Sequence, residues 1–225
     1  LNNLGKANLT DRAFHAVVNI SATELIIIGG ARLGGGLQDP NRIFEFTDRT
    51  IKPVAGGGAI PGTNQLTRQI APVIFAQLSG NTITMRVGPN LTSTVGAASV
   101  HGRHGLAACK LGDGRVFACG GVAITELVTT VNGVDKYSTQ MDPACTGKEV
   151  FVLTLATTRE NSVWTRLADM PVALVNHKAV TLPDGRVLVI GGFVRSGGTY
   201  TDKGSTTCLI YSHPTATRTP GPPPP

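Results

Sequence analysis

The sequence has few charged and aromatic residues and no long apolar run. Only 15% of its 225 residues are charged and 5% are aromatic, and its net charge of +6 is spread without any cluster of lysine or arginine. A nucleic-acid interface normally has such a cluster with aromatics beside it, so we expect no nucleic-acid partner. No apolar stretch approaches the ~20 residues that cross a bilayer as a helix, so we expect no membrane insertion by this chain.

Amphipathic helical patterns are also missing. The 28 glycines and 14 prolines, with threonine and valine in short apolar runs, favour many strands joined by tight turns. The length suits one all-β domain, which we assign to residues 1–213. Residues 214–225 end in Thr-Pro-Gly-Pro-Pro-Pro-Pro and predict an extended polyproline II tail.

One element of eleven residues occurs three times. Residues 182–192 contain an Asp-Gly-Arg turn, four apolar residues and Gly-Gly; residues 111–121 match them, and residues 20–30 keep the frame with a different turn. This pattern predicts the second half of a β-hairpin, and its glycines permit close packing or positive φ. The glycine pairs are Gly29 and Gly30, Gly120 and Gly121, and Gly191 and Gly192.

Other segments predict further strands and loops. Residues 14–18 and 24–28 form the first hairpin, and residues 72–78 and 82–87 form another, which is either a degenerate copy of the repeat or the outer strands of a neighbouring unit. Single strands are predicted at 42–46, 149–155, 161–167 and 207–211, an inserted loop at 50–67, and a polar excursion at 122–147.

The repeat resembles the kelch motif. From Trp164 to Gly192 the order Trp, Leu, Met-Pro, His, Asp-Gly-Arg and Gly-Gly follows the family pattern; the match is good at 103–121 and fair at 12–30. The resemblance implies a β-propeller of four to five blades, each a four-stranded antiparallel sheet. The propeller is either partial or closed by an outer strand from residues 1–10.

We predict no catalytic, cofactor or metal site. His15 and His177 stand five residues before Ile20 and Leu182, and His104 lies near the same place in the second copy. The resemblance implies a structural role in each blade for this position. The Asp-Gly-Arg residues are explained by turn chemistry.

Some kelch-type propellers are secreted copper-radical oxidases, which gives a less favoured enzymatic alternative. Their copper site needs tyrosine, histidine and a Tyr–Cys cross-link. The sequence supplies the residue types without a matching motif, in Tyr137, Tyr200, Tyr211, His213 and Cys208.

Cys109, Cys119, Cys145 and Cys208 are disulfide candidates. Across the Asp113-Gly114 turn, Cys109 lies opposite Val116 or Phe117, which places Cys119 out of register for a bond to it. Two alternatives stay open. Cys145 forms a disulfide with one of the hairpin cysteines, or the cysteines are buried free thiols.

Three Asn-x-Ser/Thr sequons, at Asn8, Asn19 and Asn90, favour an extracellular or cell-surface location. The tail resembles hydroxyproline-rich extracellular glycoproteins, with candidate modified residues at Thr215, Thr217, Thr219, Pro220, Pro222, Pro223, Pro224 and Pro225. We therefore expect a non-enzymatic, glycosylated subunit of a fibre, appendage or matrix, whose partners are other subunits, including copies of itself. The alternative is an intracellular kelch adaptor that binds proteins.

Overall fold

The computed structural model describes most of the chain in nine segments. These are residues 14–30, 44–47, 50–53, 72–91, 103–122, 124–131, 134–141, 145–196 and 199–212. The described residues form an all-β protein of antiparallel sheets, with a single short 3-10 helix (Arg159–Asn161). The tail and residues 1–10, including Asn8 and the proposed closing strand, lie outside the described residues.

The strands follow one another along the chain with short connections. In order they are β1 (Ala16–Asn19), β2 (Glu24–Ile28), β3 (Phe44–Thr47), β4 (Thr50–Pro53), β5 (Pro72–Ser79), β6 (Thr82–Asn90), β7 (His104–Lys110), β8 (Val116–Val122), β9 (Ile124–Val131), β10 (Val134–Met141), β11 (Val150–Thr154), β12 (Val163–Arg166), β13 (Leu174–Val175), β14 (Lys178–Thr181), β15 (Val187–Ile190), β16 (Phe193–Ser196), β17 (Thr199–Gly204) and β18 (Cys208–Tyr211).

Three sheets are built on the repeated hairpin. The first sheet has the order β1-β2-β5-β6, the middle sheet β7-β8-β11-β12, and the third sheet β14-β15-β18. Each Gly-Gly pair is followed by an inserted hairpin outside its sheet: β3–β4, β9–β10, and β16–β17, the last of which also pairs with β13. The repeat therefore consists of an inner hairpin, an insertion and one or two outer strands.

The three sheets stack face to face: the first core lies between the first and middle sheets, and the second core lies between the middle and third sheets. Residues of β8 alternate between these cores: Val116 and Ala118 face the first sheet, whereas Phe117 and Cys119 face the third. Strand β11 alternates in the same way. Because both faces of the middle sheet are covered, its central strands are continuous apolar runs.

Several sequence expectations are corrected by this topology. Strand β3 overlaps the single strand expected at 42–46 and pairs with β4, which lies inside the predicted loop 50–67. The polar excursion 122–147 contains the β9–β10 hairpin. The open question about β5 and β6 is answered by the pairing of β2 with β5: they are outer strands of the first sheet. They are therefore not a separate unit, and the described residues contain three sheets built on the repeated hairpin.

Candidate functional site

Turn and packing roles account for the repeated residues. In both Asp-Gly-Arg turns the aspartate carboxylate accepts hydrogen bonds from the backbone N–H and the guanidinium of the arginine two residues later, so these charges are used within the turn. All six glycines of the Gly-Gly pairs have positive φ, one of the two roles that the sequence allows for them. Trp164 packs edge-on against Phe151, with ring centroids 6.2 Å apart, beside the first core.

A buried ion pair stands at the start of the middle sheet. Arg103 and Glu149 are each 1% exposed, and Nη1 of Arg103 lies 3.1 Å from Oε2 of Glu149 and donates to the carbonyl of Gly120. The same carboxylate accepts backbone hydrogen bonds from Thr146 and Gly147. Burial favours a raised pKa for Glu149, but the charge of Arg103 and these hydrogen bonds outweigh it and leave that pKa below its ordinary value.

A buried thiol and imidazole meet between the middle and third sheets. Sγ of Cys119 lies 3.2 Å from Nε2 of His177. Burial raises the pKa of Cys119 well above its ordinary value and lowers the pKa of His177 to about 4. A nucleophilic cysteine needs the opposite shift, toward the thiolate, so these pKa directions give no support to a nucleophilic role for Cys119.

The three histidines near the repeat position are not brought together. His177 is buried against the middle sheet and His104 is buried within it, where burial lowers the pKa of His104 to about 4. His15, expected to have the same structural role, is instead exposed on the first sheet. Within the described residues, no group of three or more His, Cys, Asp or Glu side chains is arranged to hold a metal ion.

The residue types of a copper-radical site are also separated where the structure describes them. Cys208 and Tyr211 lie on opposite faces of β18: Tyr211 packs in the second core against Phe117, whereas Cys208 is exposed. This pair therefore cannot form the required cross-link. The side chains of Tyr137 and Tyr200, and all of His213, lie outside the described part of the chain.

The four cysteines differ in burial: Cys119 and Cys145 are buried, Cys109 is half-buried and Cys208 is exposed, and the structure contains no disulfide among them. Cys109 lies opposite Phe117 and Cys119 lies opposite Ala107, which confirms the register argument against a bond between them. Cys145 is buried with its sulfur 3.9 Å from the carbonyl of Gly121. Cys208 is exposed on β18 of the third sheet, whereas Cys109 and Cys119 lie on β7 and β8 of the middle sheet.

In the described residues, two sheet faces with exposed apolar side chains lie at the two ends of the stack. On the first sheet, Val17, Leu78, Ile83 and Val87 are 41–50% exposed and share the face turned away from the middle sheet. A cavity of about 320 Å³ lies on this face. It is lined by side chains that include Leu25, Ile27, Ala76, Leu78, Ile83 and Met85. We call this surface the first end face.

The second end face is the outer side of the third sheet. Val180 and Ile190 are 51% and 46% exposed there, and the register places Leu188 and Ile210 beside them. Isolated exposed apolar residues are ordinary, but contiguous patches on a sheet mark contact surfaces. The alternation of residues predicts these faces once the topology is known; sequence reasoning missed them because it did not identify which sheets lie at the ends.

Two of the sequons can be placed. Asn19 is exposed at the end of β1 and lines the cavity on the first end face, and Asn90 is exposed at the end of β6. In the described residues, no helix is long and apolar enough to cross a membrane.

Comparisons with known proteins give matches among solved structures only. No protein-family model matches the sequence, and no curated protein matches it. Among solved structures, the chain is similar to the structure of YjhT, with 14% sequence identity and a TM-score of 0.47 over 92% of this chain. The match covers 47% of YjhT, so the chain spans about half the length of that protein.

Proposed function

We propose that this chain is a kelch-type β-propeller module that acts by binding other protein subunits outside the cell, and that it is not an enzyme. The observation that carries the proposal is the first end face, where apolar side chains that would normally be covered surround a cavity at the end of a sheet stack. The repeated inner hairpins, stacked sheet on sheet, are the arrangement that a propeller requires.

The buried polar groups support a binding role over catalysis. Glu149 is paired with Arg103, and Cys119 contacts His177, so these buried groups bind one another inside the protein. An active site normally exposes at least one such group in a cleft with a pKa adjusted to its task. In the part of the chain that the structure describes, the two end faces expose apolar side chains, which suit protein contacts.

Extracellular placement rests on the sequons and on the tail. Asn19 and Asn90 are exposed, so an oligosaccharide on either could extend into solvent. The test is glycopeptide mass spectrometry of the chain from its native source, with and without enzymatic removal of N-glycans. We expect glycans on Asn19 or Asn90, and sugar on the threonine- and proline-rich tail. Unmodified peptides at Asn8, Asn19, Asn90 and the tail would refute the extracellular proposal.

An intracellular adaptor is the second candidate, and the four thiols favour it. Intact mass measured before and after reduction separates the two, when it is combined with the glycan analysis. An adaptor has reduced cysteines and bare sequons, whereas a secreted subunit carries added sugar mass.

A further inference from the structure

Contacts between successive sheets inside the molecule follow one rule. Gly29 and Gly120 each stand nine residues after the leading residue of their repeat, and each packs against the following sheet. A Cβ on Gly29 would overlap the side chain of Leu106, and a Cβ on Gly120 would overlap the ring of His177. Leu106 and His177 both stand five residues before the next leading residue. The glycine of one sheet thus receives the residue at this position in the next sheet.

A backbone series follows the same rule. Phe14, Gly105 and Asn176 each stand six residues before the leading residue of a repeat, and all have positive φ, of 58°, 65° and 54°. The N–H of Gly105 donates to the carbonyl of Phe14 at 2.9 Å, and the N–H of Asn176 donates to the carbonyl of Gly105 at 2.7 Å. Each sheet is therefore attached to the preceding one at an equivalent backbone atom.

The two end faces carry the unused halves of this contact. Gly191 has a positive φ of 71°, close to the 65° of its equivalents Gly29 and Gly120, yet no atom of the described residues lies within 4 Å of the place where its Cβ would be. At the other end, His15 occupies the position of Leu106 and His177 but is exposed. The third sheet thus presents an empty glycine position, and the first sheet presents the residue that elsewhere fills it.

The apolar residues of the two faces correspond in the same manner. Val17, Leu25 and Ile27 of the first end face are at the repeat positions of Ala108, Val116 and Ala118, which cover the first sheet from the middle sheet. On the second end face, Val180, Leu188 and Ile190 are at the positions of Cys109, Phe117 and Cys119 of the middle sheet. Those three middle-sheet residues pack toward the third sheet.

We propose that a second copy of this chain docks head to tail, with the second end face of one copy on the first end face of the other and His15 placed against Gly191. A second copy is the indicated occupant because this chain presents both halves of a contact that it already makes twice internally. Such a contact is heterologous, so it closes into a ring if the rotation between copies permits, and otherwise extends as a filament.

This proposal rests on the proposed binding function, for which it names a second copy of the chain as the partner. Its test uses glycan-free recombinant protein, so it reports on docking whatever the result of the glycan analysis. Sedimentation velocity or light scattering of the full chain over a range of concentrations is expected to show assembly. Ile83→Glu on the first end face and Val180→Glu on the second should each weaken it about 100-fold, since each buries an unpaired charge.

Mixing the two variants gives the decisive measurement. Each variant alone is expected to be monomeric, but an equimolar mixture should form a heterodimer, because the intact second end face of Ile83→Glu meets the intact first end face of Val180→Glu. Val163→Glu is the matched control, since Val163 is 60% exposed on the outer strand of the middle sheet, away from both end faces. It should assemble like the unmodified chain.

Three results would each overturn the proposal: a monomeric unmodified chain at every concentration, a mixture that stays monomeric, or assembly abolished by only one of the two variants. The last would indicate contact between like faces. Circular dichroism establishes that the variants fold, and Leu78→Glu and Ile190→Glu replace any that do not. Alkylation of Cys208, exposed beside Ile190, gives an independent measure and should slow as the unmodified chain assembles.

Discussion

Acid should destabilise the protein through its buried histidines, and His177 gives the sharpest test. The pKa of His177 is lowered from 6.5 to about 4, chiefly because burial disfavours the charged imidazolium. The unfolded chain therefore binds the proton more readily than the folded chain. Stability that is fully present above pH 6.5 is lost as the pH falls toward 4.

Between pH 7 and pH 5 the loss is about 2 kcal/mol for this one group, from the linkage of a two-unit or larger pKa difference to folding. His177→Leu should remove this loss of stability. Leucine is chosen because Leu106 stands at the equivalent position of the middle sheet. The measurement is the free energy of unfolding from urea titrations at several pH values. His15→Gln, which removes an exposed histidine, is the control.

Between pH 7 and pH 5, the free energy of unfolding of His177→Leu is expected to fall by about 2 kcal/mol less than that of the unmodified chain. His104, with a pKa also lowered to about 4 by burial, should contribute an equal and separate share. If His177→Leu keeps the full pH dependence while His15→Gln reduces it, burial of His177 is not the cause and the reasoning fails.

Three further outcomes follow from the packing. Glu149→Gln should cost about 3–5 kcal/mol in urea titrations because it leaves a buried guanidinium without its counter-charge, whereas Asp169→Asn, at an exposed ion pair, should cost under about 1 kcal/mol. Gly120→Ala should lower the free energy of unfolding by about 1–3 kcal/mol more than Gly191→Ala, because both variants strain a left-handed φ but only Gly120 packs against the next sheet. Both are measured by urea titration of monomeric protein, and equal losses would contradict this packing role. In native protein Cys208 should react fastest with an alkylating reagent because its side chain is exposed, and Cys208→Ser should abolish this fast reaction. Unchanged alkylation kinetics in that variant would contradict the exposure of Cys208.

The inner hairpins could be predicted because their signals are local. The Asp-Gly turns and Gly-Gly pairs determine the register of β7–β8 and β14–β15 within a few residues, and the structure has both hairpins. The all-β class follows from the same signals repeated along the chain.

Long-range pairings could not be predicted in this way. Strand β5 pairs with β2 across the insertion that contains β3 and β4, and nothing local distinguishes this arrangement from a separate hairpin unit. The pairing of Arg103 with Glu149 spans 46 residues, and the only sequence signal was an arginine just before a hairpin and a glutamate just before a strand. The end faces depend on which sheets lack a neighbour, which is a property of the stack and not of any segment.

Asn19 stands at a position where the other two sheets touch their neighbours. Lys110 and Thr181 are its repeat equivalents; Nζ of Lys110 donates to the carbonyl of Ile20 at 2.6 Å, and Oγ1 of Thr181 donates to the carbonyl of Lys110. On the docking proposal, an oligosaccharide on Asn19 occupies the space that an incoming copy needs. A chain modified there can still offer its second end face but cannot accept a copy on its first, so it acts as a terminator, and the fraction of chains glycosylated at Asn19 would set the length of the assembly.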